Sequence, residues 1–246
     1  RKVTGNRASP AFSKAVAETV LGLLYAYRGS TRPATRLLDG SIGEFRITGV
    51  LGMEFFYLLG KVVVEEATGN TEHVSQLLRS LLAFWRETED RHDAVPGLVH
   101  GVLHFAELGQ REAVAEFAEA LDRIASSTAN PEALGAAYLA TAELSLFESN
   151  AAQAVKLQRK AIEAYEQREL CIETIRAQMR LAAGLQMSGE NREASMTLTE
   201  ALRSTDVDPA EMLALDEALE RLEPRQRQVV ECRFFAGLEE SEIALA

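Results

Sequence analysis

The 246-residue chain contains few prolines and very few cysteines. Six prolines in the whole chain leave long stretches free of the residue that interrupts helices most strongly. Cys171 and Cys232 lie far apart on predicted helices and cannot build a disulfide framework, which is typical of a protein from a reducing compartment. No apolar run reaches the roughly 18 residues that a membrane helix needs, and no signal peptide is recognisable. These absences predict a cytoplasmic protein.

The sequence also lacks the common motifs of enzymes. Neither the glycine-rich phosphate loop nor the dinucleotide fingerprint occurs, and no serine or cysteine lies in a nucleophile motif. His100 and His104 are one helical turn apart, with Glu107 following, and this spacing is compatible with zinc. However, Gly101 follows His100, so the His-Glu-x-x-His motif is absent. We predict no catalytic site, no metal and no cofactor.

Basic charge is scarce as well. The formal net charge is −11, which differs from that of a uniformly basic DNA-binding domain. Hydrophobic residues make up 47% of the chain, enough to form a sizeable core. A chain of this length holds one elongated domain or two compact ones.

Short polar turns recur along the chain at a constant interval. They fall at Gly29-Ser30, Gly69-Asn70, Gly109-Gln110, Ser149-Asn150 and Gly189-Glu190, each forty residues after the one before. Glycine at four of the five turns permits the left-handed conformation that often ends a helix. Each period therefore predicts a helix, a tight turn and a second helix that packs against the first.

Helical hairpins repeated in this way resemble tetratricopeptide repeats, with a unit longer than the usual one. The resemblance implies an all-α fold, an α-solenoid of about five helical hairpins over residues 1–207, wound as a right-handed superhelix. Such repeats bind a protein or peptide partner in a concave groove, and self-association is a further candidate role. Most aromatic side chains are expected to fill the core between helices, and some of Tyr25, Phe56, Tyr57 and Trp85 are candidates for lining this groove.

The last part of the chain, residues 208–246, has a different pattern. Leu215, Ala218, Leu219 and Leu222 recur at the spacing of one helix face, and Pro224 follows this helix. A second helix is predicted over 225–235. Gly237 suits its C-terminal cap, and a third helix begins near Ser241. Helix, helix, glycine turn and helix form the start of a helix-turn-helix unit.

This segment resembles region four of the extracytoplasmic-function sigma factors. The matching features are Leu219, Leu222, Pro224, Arg225, Val229-Val230, Arg233-Phe234-Phe235, Gly237-Leu238 and Glu242-Ile243-Ala244. A LuxR-type helix-turn-helix and a chance helical tail are the alternatives. The eight-residue step from Val229 to Gly237 favours the sigma pattern, because the LuxR pattern usually has one residue fewer.

The sigma resemblance implies contacts with promoter DNA or RNA polymerase. Arg225, Arg227 and Arg233 are the candidate residues, and ordinary surface charge is the alternative account of them. The chain stops at Ala246, before the helix that reads DNA in region four, so we expect it to be a piece of a longer polypeptide. Residues 210–246 hold four arginines and nine carboxylates, a net charge of −5 (4 − 9), so this segment alone is expected to bind DNA poorly.

These features predict a transcription regulator in which a helical-repeat sensor is joined to a sigma-like module. The alternative is a protein–protein interaction scaffold with no DNA role, in which the C-terminal segment caps the repeats.

Overall fold

A computed structural model describes residues 10–48, 50–128 and 130–205. These residues form ten α-helices: α1 (Pro10–Tyr27), α2 (Thr31–Thr48), α3 (Gly52–Ala67), α4 (Thr71–Thr88), α5 (Val95–Glu107), α6 (Arg111–Ser127), α7 (Pro131–Phe147), α8 (Ala151–Glu166), α9 (Cys171–Met187) and α10 (Asn191–Thr205). Each odd-numbered helix and the next even-numbered helix form a hairpin. The predicted all-α architecture of five hairpins is confirmed.

The predicted turn residues lie between the two helices of each hairpin. All five adopt the left-handed conformation, with φ between 57° and 84°: Gly29, Gly69, Gly109, Ser149 and Gly189. At Gly69 the amide donates to the carbonyl of Glu66, and the next amide, that of Asn70, donates to the carbonyl of Glu65. This pair of bonds is a Schellman motif, which satisfies two carbonyls that the end of a helix leaves without a partner.

The residue after the left-handed position also begins the second helix. The Asn70 side chain accepts a hydrogen bond from the backbone amide of His73, and Asn150 accepts one from Gln153. Asparagine is among the preferred N-cap residues because its short side chain reaches these amides. One asparagine thus closes the first helix with its backbone and opens the second with its side chain.

A proline lies at the start of α7. Asn130 accepts a hydrogen bond of 3.1 Å from the amide of Glu132, and Pro131 occupies the first helical position. Proline fits there because the first amides of a helix have no intrahelical partner.

The described residues divide into two compact units, 10–97 and 98–205. In the first unit, Leu38 is fully buried against Gly60, whose missing side chain allows α3 to approach α2 closely. Aromatic pairs fill the spaces between other helices, including Phe55 with Phe84 at 4.8 Å between ring centroids.

About half of the buried apolar residues of the second unit are alanines, and the others are larger side chains. Phe117 of α6 lies against Gly101 of α5, and Tyr165 of α8 lies against Gly135 of α7. In both pairs a large ring on the second helix occupies the space above a glycine on the first. Close helix packing of this kind is sensitive to the addition of a single methyl group.

The predicted helices of the sigma-like segment lie outside the described residues. The proposed domain boundary between residues 207 and 208 therefore stays a prediction.

The left-handed turns predict opposite effects for two substitutions. Gly109→Ala should lower the free energy of unfolding by about 1–2 kcal/mol, because a side chain in the left-handed conformation meets its own backbone. No neighbouring atom lies within 4 Å of the added methyl group, so packing does not contribute. Ser149→Gly should raise the stability, since φ is 57° there. Urea unfolding followed by circular dichroism measures both changes.

Gly43→Ala is the matched control for these turns. Gly43 lies inside α2 with equally open surroundings but without a positive φ, so alanine should stabilise the helix by about 0.5–1 kcal/mol. Equal losses of stability at Gly43 and Gly109 would contradict the role assigned to the turn.

Candidate interaction surfaces

In the first unit, Tyr57 joins α2 and α3. Its ring packs against the apolar cluster that includes Leu38 and Leu59. Lys61 lies 3.2 Å from the carboxylate of Asp39. Burial raises the pKa of Tyr57 and Asp39 adds to the rise, whereas Lys61 opposes it. The phenol therefore stays protonated at neutral pH.

The other aromatic residues proposed for the groove differ in exposure. Tyr25, near the end of α1, is 38% exposed, and Phe56 of α3 is half-buried. Both rings keep some surface that a partner could cover. Contact of Tyr25, Phe56 and Tyr57 with a partner stays a prediction.

Trp85 lies in the core instead. It is 4% exposed, and its indole N–H donates to the carbonyl of Asp90 at 2.9 Å. Asp90 in turn accepts hydrogen bonds from the amides of His92 and Ala94, which orders the link between α4 and α5. Trp85 thus supports the link between α4 and α5. Because its ring is buried there, we no longer propose that it contacts a partner in the groove.

Arg225, Arg227 and Arg233, the residues proposed for DNA or polymerase contact, lie outside the described residues. Within the described ranges, no group of three or more histidine, cysteine, aspartate or glutamate side chains is placed to hold a metal ion. In the same part of the chain, no helix has the length and apolarity required to span a bilayer.

A buried ion pair joins α7 and α9 in the second unit. Glu143 is 2% exposed, and its carboxylate accepts two hydrogen bonds from the Arg180 guanidinium, one of them 2.8 Å long. Burial acts to lower the pKa of Arg180, but the hydrogen bond and charge of Glu143, together with Glu107, outweigh it and raise the pKa. The two-pronged geometry fixes the position of α9 relative to α7.

This pair could not be predicted from the sequence pattern. Its members are 37 residues apart, and only a carboxylate within an otherwise apolar stretch of α7 signals it. The residue eighty positions earlier is Val63, which is also buried, so the repeat pattern predicts an apolar side chain at this place.

Buried polar groups without a partner form a second distinctive feature of this unit. Among the described residues, the Gln158 amide, the Tyr165 hydroxyl and the Gln178 side-chain oxygen have no hydrogen-bond partner. Gln158 is fully buried beneath Gly184 of α9, where the corresponding residues of α2 and α4 are Leu38 and Leu78. The side-chain N–H and C=O groups of Gln158 therefore lose their hydrogen bonds to water on folding and gain none within the protein.

Comparison with known families supplies the decisive functional observation. Residues 161–246 match the ECF sigma factor family. The sigma-like range begins inside α8 and includes α9 and α10, so it is longer than the segment whose motifs resemble region four. This match indicates a role in transcription regulation and implies interaction with RNA polymerase and DNA.

A solved structure shows the fold of the repeats. A crystal structure of a variant Podosopora anserina protein, described as a kinesin light chain with nearly identical TPR-like repeats, is 18% identical. The similarity covers 78% of this chain and 94% of that chain, with a TM-score of 0.51. A second structure of that protein is 16% identical, over 78% and 95% of the two chains, with a TM-score of 0.46. A search of curated proteins gave no match.

The TPR-like α-solenoid predicted from the forty-residue period is thus confirmed, and so is the sigma-factor resemblance. TPR-like repeats and ECF sigma factor domains are both non-catalytic kinds of protein.

Replacing the buried amide should stabilise the second unit. Gln158→Leu removes polar groups that have no partner and restores the residue found in α2 and α4. The expected gain is about 1–3 kcal/mol in the free energy of unfolding. Gln76→Leu, at an exposed site on α4, is the control and should change stability by less than about 0.5 kcal/mol. A loss of stability for Gln158→Leu would show that the amide has a partner in solution.

Breaking the buried ion pair should be costly. Glu143→Ala leaves the Arg180 charge partly buried without its partner, and we expect a loss of about 3–5 kcal/mol. The double variant Glu143→Leu with Arg180→Met should recover most of this loss, because neither charge remains. Glu193→Ala breaks the exposed pair with Arg159 and should cost no more than ~1 kcal/mol. Equal losses for Glu143→Ala and Glu193→Ala in urea unfolding would contradict this assignment.

Proposed function

We propose that this chain belongs to a cytoplasmic transcription regulator in which a helical-repeat domain, residues 1–207, binds a protein or peptide. The C-terminal segment, residues 208–246, acts on RNA polymerase or promoter DNA. The observation that carries the proposal is the presence of a TPR-like fold and an ECF sigma factor match in one chain.

The repeats supply the recognition surface. Tyr25, Phe56 and Tyr57 are the proposed partner contacts, since each retains exposed surface on a helix of the first unit. Tyr57 also offers a protonated hydroxyl in the same region as the ion pair of Lys61 and Asp39, which suits a partner with polar groups beside an apolar anchor. Self-association through the repeats is a further part of this proposal.

The sigma-like segment supplies the output through Arg225, Arg227 and Arg233. Guanidinium groups bind phosphates and carboxylates in a two-pronged geometry, so they serve equally for DNA backbone and for an acidic surface of polymerase. The net charge of −5 over residues 210–246 disfavours DNA alone and favours an output in which polymerase contributes to binding.

The test is binding of the intact protein to core RNA polymerase and to promoter DNA over a range of salt concentrations. Combined alanine substitution of Arg225, Arg227 and Arg233 should weaken polymerase binding. If these arginines bind phosphates, the triple substitution should also make DNA binding less dependent on salt. The slope of log K against log salt concentration should then fall in magnitude by about one unit for each arginine that binds a phosphate. Alanine substitution of Arg32, Arg36 and Arg192, which are exposed on the repeats, gives the same change in charge as a control.

The outcome also separates this proposal from its alternative. The alternative is a protein–protein interaction scaffold, and the acidity of the C-terminal segment favours it. Absence of binding to both polymerase and DNA, or equal weakening in the two triple variants, would support the scaffold and overturn the regulator.

A further inference from the structure

One side of the last described hairpin exposes large apolar residues. Ile172, Met179 and Met187 lie along one side of α9 and are 60%, 49% and 63% exposed, and Leu198 of α10 is 41% exposed. We call these four residues the end face.

In the preceding hairpin, the residue that corresponds to Leu198 is covered by the helix that follows. Gln158 of α8 is fully buried beneath Gly184 of α9, and Val155 of α8 belongs to one apolar cluster with Leu181 of α9. Leu198 occurs forty residues after Gln158. The equivalent residues of the earlier hairpins are also buried, with exposures of 0%, 0% and 8%: Leu38, Leu78 and Ala118.

The corresponding residues of the first helix in that hairpin are covered in the same way. Leu139 of α7 is 1% exposed, and Glu143, one turn further along, is bonded to Arg180 of α9. Met179 occurs forty residues after Leu139. Met179 and Leu198 thus occupy positions whose counterparts are buried by the next helix, and no described helix covers them. Ile172 and Met187, whose counterparts are only partly buried, extend the same exposed side of α9.

The chain after α10 has the sequence of a suitable covering helix. Three to six residues separate the earlier hairpins, as between Thr48 and Gly52 or between Thr88 and Val95. Pro209 follows the end of α10 after three residues, and Asp208-Pro209 repeats the asparagine–proline start seen at α7. From there, Leu215, Leu219 and Leu222 recur on one helix face.

The family match supplies an independent observation. It runs without a break from residue 161 to residue 246, so it includes α9, α10 and the segment that follows them. The segment after α10 therefore belongs to the same matched range as the hairpin that carries the end face.

We propose that residues 209–222 form a helix that docks on the end face of α9 and α10. Leu215, Leu219 and Leu222 cover Met179 and Leu198 as α9 covers α7 and α8. This contact attaches the predicted helix-turn-helix directly to the last hairpin, so that a change in the repeats reaches it through packed side chains rather than through a free linker.

Chemical cross-linking tests the contact. In the intact protein with Cys171→Ser and Cys232→Ser, Leu198→Cys combined with Leu219→Cys should react with a short bismaleimide to give an intramolecular cross-link. Two control pairs join Leu219→Cys with Leu134→Cys or with Tyr27→Cys, which replace residues of similar exposure on α7 and α1. These controls should react far less.

Each outcome decides the question. A cross-link at the Leu198 position alone supports docking. A cross-link to α1 or α7 of equal or greater yield, no cross-link at all, or a product of twice the mass, which would show a second copy on the face, would each overturn it.

Limited proteolysis gives a second measurement. Met179→Glu combined with Leu198→Glu should increase tryptic cleavage after Arg221 and Arg227 several-fold while circular dichroism shows that the repeats stay folded. Met196→Glu is the control, because Met196 is 64% exposed and its counterparts Gln76, Glu116 and Lys156 are exposed as well. Equal cleavage in both variants would contradict docking. Neither measurement involves DNA or polymerase. Docking can therefore be wrong while the proposed function is right, and the proposed function can be wrong while docking is right.

Discussion

The left-handed residue at the end of each odd-numbered helix is the constraint on which the hairpins depend. It reverses the chain within two residues, so the second helix has to pack against the first. The same residues satisfy both helix ends, because Gly69 and Asn70 donate to the last carbonyls of α3 while the Asn70 side chain accepts from the first turn of α4. Glycine reaches this conformation without strain, whereas Ser149 reaches it at a φ of 57°. The forty-residue period is therefore strict in the backbone conformation of the turns and less strict in the side chains.

Helix spacing within and between hairpins depends on a second device, the placing of a large side chain above a glycine. Leu38 lies against Gly60, Phe117 against Gly101, and Tyr165 against Gly135. The glycines do not share one repeat position, so the contact between a glycine and a large side chain lies at a different place in each hairpin. This explains why the turns repeat strictly while the core residues do not. It also explains the buried Gln158, since its site is defined by the approach of Gly184 and tolerates a side chain of leucine size, even a polar one.

The features that could be predicted depend on interactions between residues close in sequence, and those that could not depend on interactions between residues far apart in sequence. The turns and the Asn130–Pro131 cap could be predicted because capping is decided within about six residues of sequence. The position of Trp85 could not be predicted from period alone, because an aromatic ring on a repeat helix suits a groove as well as a core. The bond to Asp90 decides between them. The pairing of Glu143 with Arg180 joins two helices across 37 residues, and nothing local to either residue identifies the other. Local chemistry therefore determined the fold class, and contacts between helices determined which surfaces remain available.

The net charge of the C-terminal segment limits how this segment can act together with the repeats. Phosphate binding gains most of its free energy from released counterions, and a segment with a net charge of −5 gains little from that source. Protein–protein contacts do not share this requirement, since their central residues are mainly apolar and aromatic. The apolar pattern of residues 209–222 and the exposed end face both suit contact with protein. Under the proposed function, the sigma-like segment is therefore better suited to join the repeats to a polymerase than to hold DNA unaided, with its arginines acting beside an apolar protein contact.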